Sequence, residues 1–99
     1  MVHIVLTSWW PFPLNDKISE KWAQLSPQIQ PLLKTMKIYF MGVKAGVQAT
    51  GYNEVEDGKM EEAFNAISSA ANELSTIEGY TFQLSIQYSW EEVQAQNEA

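Results

Sequence analysis

Residues 51–80, GYNEVEDGKMEEAFNAISSAANELSTIEGY, constrain the fold most, because a strand, a polar turn, a long amphipathic helix and a new strand follow one another without interruption. Met60, Ala63, Phe64, Ile67, Ala70, Ala71 and Leu74 recur at intervals of three and four, which places an apolar stripe on one helix face. Glu61, Glu62, Asn65, Ser68, Ser69, Asn72 and Glu73 fall on the other face. The spacing predicts a helix over 58–77, with Asp57 as its N-terminal cap and Gly79 as the left-handed residue that stops it. The acids at its start suit the positive end of the helix dipole and need no catalytic explanation.

The flanking segments supply strands. Residues 2–10 are β-branched and aromatic, and both alternating sets, Val2, Ile4, Leu6, Ser8, Trp10 and His3, Val5, Thr7, Trp9, are substantially apolar. That pattern belongs to a strand inside a sheet. Pro11 and Pro13 end its ladder, and Asn15 or Asp16 opens a helix over 16–25 whose stripe is Ile18, Trp22 and Leu25. Ser26 and Pro27 then have the form of a cap and first-turn proline for a continuing segment. Residues 34–43 and 47–56 predict an antiparallel hairpin turning at Lys44, Ala45 and Gly46, with Gly51 inside its second strand as a bulge or a point of close approach. Residues 80–90 alternate strictly, Tyr80, Phe82, Leu84, Ile86, Tyr88 and Trp90 against polar neighbours. Ser89 and Glu92 have capping-box spacing for a short helix over 90–96.

The resulting order is β, α, β, β, α, β. Right-handed crossovers around the central hairpin convert it into an α+β, ferredoxin-like, four-stranded antiparallel sheet of order 4-1-3-2, with the helices on one face. At 99 residues the chain is expected to be a single domain spanning 1–99. The helix-facing layer contains Ile4, Leu6, Ile38, Phe40, Val47, Ala49, Phe82, Leu84 and Ile86. The reverse face carries His3, Val5, Thr7, Trp9, Tyr39, Met41, Gln48, Thr50, Tyr52, Gln83, Ser85 and Gln87, an aromatic and polar mixture unusual for a surface left wholly in water. A second copy can cover it.

Composition removes several functional classes. With no cysteine, disulfides and thiolate chemistry are excluded. The opening residues lack a basic lead and run into prolines, so they predict a strand, not a leader or membrane span, and a soluble cytoplasmic protein is expected. Net charge is −6, divided as about +3 over residues 1–50 and −9 over 51–99, which argues against nucleic acid and suits complementary self-association. The six basic residues are all lysines; without arginine, and without a glycine-rich phosphate loop, nucleotide cofactors are not expected.

On its element order, its opening HIVLTSWWP and its run YNEVEDGKMEEA, the chain resembles the dimeric α/β-barrel superfamily, in which two ferredoxin-like sheets pack face to face. The resemblance covers nearly the whole chain and implies a homodimer. Antibiotic-biosynthesis monooxygenases, muconolactone isomerases and small uncharacterised proteins share that architecture, so it implies no single reaction. The cofactor-free monooxygenases use asparagine, tryptophan, tyrosine and often arginine; Asn53, Trp9 and Tyr52 supply residue types here, with no alignable role.

Two readings follow. In the first, the chain is a homodimeric small-molecule binding or interaction module whose aromatic pocket draws on Trp9, Trp10, Tyr39 and Tyr52. In the second, it is a cofactor-independent monooxygenase- or isomerase-like enzyme for a small aromatic or enolisable substrate, with His3 or Tyr52 handling a proton. His3 is the sole histidine and the natural general base, although a lone histidine on a central strand is more simply a partly buried structural residue. Glu54, Glu56 and Asp57 lack metal-ligand spacing, so no metal is expected. Ser8, Ser85 and Ser89 would all have to share His3 and have no nucleophile elbow.

Overall fold

The computed structural model describes residues 2–98, with side chains through residue 94. The elements are β1 (His3–Trp10), α1 (Asn15–Leu25), β2 (Leu33–Val43), β3 (Gly46–Val55), α2 (Met60–Leu74), β4 (Thr81–Gln87) and α3 (Trp90–Glu98). Short 3-10 turns at Phe12–Leu14, Ser26–Gln28 and Gln30–Leu32 carry the proline-rich connections. Pro13, Pro27 and Pro31 occupy their first turns, where a missing N–H costs no ladder bond.

The strands form one antiparallel sheet in the order β2-β3-β1-β4, the expected order seen from the other edge. In β1, Ile4 faces Asn53 and Ile86, Leu6 faces Gly51 and Leu84, and Ser8 faces Ala49 and Phe82. Even-numbered β1 residues therefore share the face that meets the helices, and odd-numbered ones the reverse. Ile4, Leu6 and Trp10 are buried on the first face. Val5 is also buried, on the second face.

α2 lays Ala63, Ile67, Ala70, Ala71 and Leu74 onto the sheet, as its periodicity predicts. α1 contributes Ile18 and leans against α2, where Lys21 pairs with Glu73 at 3.6 Å. The buried side chains fall into two clusters. One gathers around Ile4, Ile29 and Ile67, the other around Trp10, Ile18, Leu74 and Tyr80. Full burial of an Ile or Leu stabilises by about 1.5–3 kcal/mol each, so these clusters are the main source of apolar burial in the fold.

Four local expectations differ from the structure, the first being the strand over 80–90, which runs only from Thr81 to Gln87 because the capping box at Ser89 starts α3 at Trp90. α2 spans Met60–Leu74 and is shorter at both ends, and Asp57 does not cap it: Lys59 holds the N-cap position without a side-chain bond. Gly58, at φ +77°, sits in a turn closed by the Lys59 N–H on the Glu56 carbonyl, which carries Asp57 outward to Lys34 at 3.6 Å. Gly79, at φ +103°, belongs to the separate turn that closes from the Tyr80 N–H to the Ile77 carbonyl, after the helix has ended at Ser75. Gly51 is no bulge, because it pairs regularly with Leu6 and Ile38; the ladder irregularity lies between Leu33 and Thr35. The Ser89–Glu92 capping box forms reciprocally, at 3.0 and 3.2 Å.

Candidate binding cavity between sheet and helices

A cavity of about 80 Å³ opens where the two clusters meet, several times the roughly 10–15 Å³ that one water needs. Its floor is the sheet: Leu6, Ser8 and Trp10 from β1, Ala49, Gly51 and Asn53 from β3, and Ile38 and Phe40 from β2. Ile18, Ser19 and Trp22 of α1, with Ile67 and Leu74 of α2, form the roof, and Tyr80 closes one end. The space exists because adjoining floor positions are small. Ser8 pairs with Ala49 and Leu6 with Gly51, so the centre of the sheet lacks the volume that would meet the helices. A Cβ placed on Gly51 would find its nearest atoms only at 3.7–3.8 Å. Phe40 and Ser19 line the cavity yet are exposed, which marks its open side.

Few polar groups reach inside. The Ser8 Oγ and Tyr80 hydroxyl lie 2.6 Å apart in a buried hydrogen bond. Tyr80 also stacks on Trp10, with ring centroids 6.2 Å apart and planes within 19°. The Trp10 indole N–H is already spent on Asn15 Oδ1 at 3.1 Å, so this ring offers a ligand its surface and no donor. Asn53, only 5% exposed, donates from Nδ2 to the Ile4 carbonyl at 3.0 Å and the Gly51 carbonyl at 3.3 Å. Among the described residues, no carboxylate, lysine or histidine lines the cavity.

Burial pushes the Tyr80 hydroxyl above its ordinary value near 10, against a smaller lowering by the Ser8 hydrogen bond. Both states hold the proton well below that value, so Tyr80 imposes no pH dependence there. Above it the unfolded chain releases the proton while the folded chain keeps it, so ionisation favours unfolding. Stability is therefore expected to fall as pH rises through about 10 and to continue falling until the folded-state value is reached. Urea midpoints between neutral and alkaline pH measure this, and Tyr80→Phe should flatten the alkaline decline.

The residues singled out for ligand contact divide between the faces. Trp10 lines the cavity, whereas Trp9, Tyr39 and Tyr52 occupy the reverse face, with His3 on the same side. There the Trp9 indole donates to Gln48 Oε1 at 3.0 Å, and Tyr39 meets Tyr52 edge-on at 5.9 Å. Sequence reasoning does not pick out Ser8, Asn53 and Tyr80 as a ligand-contacting set. A usable signal is present: 49, 51 and 53 share the helix-facing register, two of them small and the third an amide, on a layer whose other buried polar residue is Ser8. Among the described residues, no three His, Cys, Asp or Glu side chains group as a metal site, and no helix is long and apolar enough to cross a membrane.

No protein-family model matches the chain, and no curated protein matches it by sequence. Solved structures do. A variant of SnoaB, a cofactor-independent oxygenase from Streptomyces nogalater, superposes with a TM-score of 0.65 at 9% identity, over 90% of this chain and 93% of that one. The fold is ferredoxin-like. The de novo designed protein Foldit4 shares it with a TM-score of 0.53 at 6% identity, over 89% of this chain and 96% of that one. A PII-like signalling protein from Thermus thermophilus aligns over 94% of this chain and 92% of that one, with a TM-score of 0.48 at 10% identity. An oxygenase and a designed chain thus sit on one ferredoxin-like scaffold, which fixes the frame of the cavity and not its chemistry.

Proposed function

We propose that this chain is a small-molecule binding protein that acts as a homodimer, holding its ligand between sheet and helices and pairing with a second copy through the reverse sheet face. The observation that carries the binding reading is the open, uncharged, mainly apolar cavity in which Ser8, Asn53 and Tyr80 place the few polar groups. Such a pocket suits a small, largely apolar ring system. Binding is favoured over proton-transfer catalysis because His3 and Tyr52, the acid–base candidates, lie across the sheet from it. The oxygenase activity of SnoaB belongs to that protein, and at 9% identity the likeness supports only the shared frame.

The second copy accounts for the reverse face. Tyr39 and Met41 are 59% and 55% exposed, and Tyr52 39%, alongside Val5 and Trp9. Tyr39, Met41 and Tyr52 are spread over β2 and β3 with Trp9 on β1, Gln48 and Thr50 lie between them, and the charged Lys37 and Glu54 stand opposite Tyr52 and Thr35. A two-fold pairing buries this face against its own like. Trp9, Tyr39 and Tyr52 are then contacts between copies, and Trp10 is the ligand contact among the four aromatic candidates.

Native mass spectrometry of freshly purified, untagged protein tests both parts in one spectrum. A dimer carrying added small-molecule mass is expected; a monomer at micromolar concentration would remove the sheet-to-sheet pairing. Tyr39→Lys sets a second cation next to Lys37 in the buried patch and should weaken the dimer by about a hundredfold or more, a hot-spot effect. Cavity binding should survive in that variant.

A further inference from the structure

The cavity has a polar group at each end, and their hydrogen-bond valences are unequal. Asn53 presents Nδ2 to two backbone carbonyls, Ile4 O and Gly51 O. Carbonyls only accept, so the amide orientation is fixed and the remaining atom is Oδ1, an acceptor. Among the described residues no donor reaches it. It belongs to a side chain that is 5% exposed and lines the cavity. No side-chain oxygen or nitrogen among the described residues is both fully buried and unpartnered, so Oδ1 is open to the cavity and can accept from a donor placed there.

The other end has the opposite excess. Ser8 and Tyr80 carry two hydroxyl protons but share one hydrogen bond, at 2.6 Å. Whichever oxygen donates, one O–H remains without an acceptor among the described residues. Both side chains line the cavity. That end therefore calls for an acceptor.

The ladder sets the separation. Asn53 stands opposite Ile4, and Ser8 lies two same-face steps further along β1, so a strand rise of about 3.3 Å per residue separates the two backbones by roughly 13 Å. Leu6, Gly51, Ile38 and Ile67 fill the interval with apolar surface, and Gly51 leaves the floor flat. The Asn53 amide leans along the strand to within 3.3 Å of the Gly51 carbonyl, so the gap between the polar groups is shorter than the backbone separation. A flat skeleton of one or two rings that projects toward the open side at Phe40 and Ser19 can make a hydrogen bond at each end.

Resting on the binding role proposed above, we infer that the cavity selects an elongated, uncharged, flat molecule with a hydrogen-bond donor at one end, given to Asn53 Oδ1, and an acceptor at the other, taken by the Ser8–Tyr80 pair. Charged ends are disfavoured, because no counter-charge lines the cavity to offset their desolvation.

Isothermal titration of the full chain with 6-hydroxyquinoline, quinoline, 2-naphthol and 6-hydroxy-2-naphthoate tests the inference by varying the ligand ends on one skeleton. 6-Hydroxyquinoline should bind about tenfold tighter than quinoline or 2-naphthol, and the naphthoate weakest. Asn53→Ala should erase the advantage over quinoline alone, and Ser8→Ala combined with Tyr80→Phe the advantage over 2-naphthol alone. If a variant does not fold, the ligand series on the unaltered protein still decides. Equal affinity for the three neutral probes, or tighter binding of the naphthoate, would overturn two-ended recognition while leaving the cavity as the binding site. No binding by any probe would overturn the site itself, and this inference with it.

Discussion

Gly46→Ala is expected to destabilise the protein by about 3 kcal/mol or more, a large share of the 5–15 kcal/mol typical of a domain. Gly46 follows the hairpin turn at φ +154°, where residues with a Cβ are strained. A Cβ there would also stand 2.1 Å from the Trp10 carbonyl oxygen and 2.8 Å from the Pro11 Cα. Both neighbours are backbone, so relief requires moving either the end of β1 or the hairpin. Gly42, four residues earlier, is the internal control: it has no positive φ, and nothing lies within 4 Å of its added Cβ. Gly42→Ala should change stability by no more than about 0.5 kcal/mol. Urea denaturation of the two variants separates the collision from any general effect of replacing glycine, and equal midpoints would contradict the packing of β1 on the hairpin.

Gly51→Val should abolish ligand binding, lowering affinity by about a hundredfold or more, while leaving the fold intact. The substituted Cβ enters at ordinary contact distances from Asn53 Nδ2, Ile38 Cγ1 and the Leu6 carbonyl, so the backbone need not move. The added methyls project from the middle of the floor into the space between the two polar ends. Valine also suits a strand interior better than glycine, so stability should hold or rise by about 0.5–1 kcal/mol. Calorimetric titration with 6-hydroxyquinoline and a thermal midpoint together separate occlusion from unfolding. Undiminished affinity in a stable variant would locate the ligand elsewhere on the molecule.

Most of the fold is legible in the sequence because its strands alternate cleanly. Phe82, Leu84 and Ile86 write the inner face of β4 at every second residue, although the same alternation runs on through Tyr88 and Trp90, beyond the end of the strand at Gln87. Element order and crossover handedness then determine the sheet order. The ends of α2 are less legible. Asp57 has the chemistry of a cap, but the backbone turn at Gly58 decides where it points, and neither spacing nor propensity encodes that direction.

The cavity is harder still to foresee. Aromatic abundance draws attention to Trp9, Tyr39 and Tyr52, large residues that lie across the sheet from it. What makes the cavity is missing volume at Ser8, Ala49 and Gly51, and small side chains leave no periodic signature. Whether they line a void or admit a neighbour depends on how closely α1 and α2 approach. Asn53 is the exception. Its place in register with Gly51 and Ala49, on a face whose other buried polar member is Ser8, signals a polar group with a purpose inside the layer.

The position of β1 between β3 and β4 also bears on biosynthesis. During translation, β2 and β3 can pair as soon as their turn has left the ribosome, and β3 then offers β1 one partner. The second partner, β4, is made last of the four. β1, which holds the buried Ile4, Val5 and Leu6, therefore waits with one edge unpaired until residues 81–87 emerge, and that interval is when the nascent chain is open to misassociation along this strand.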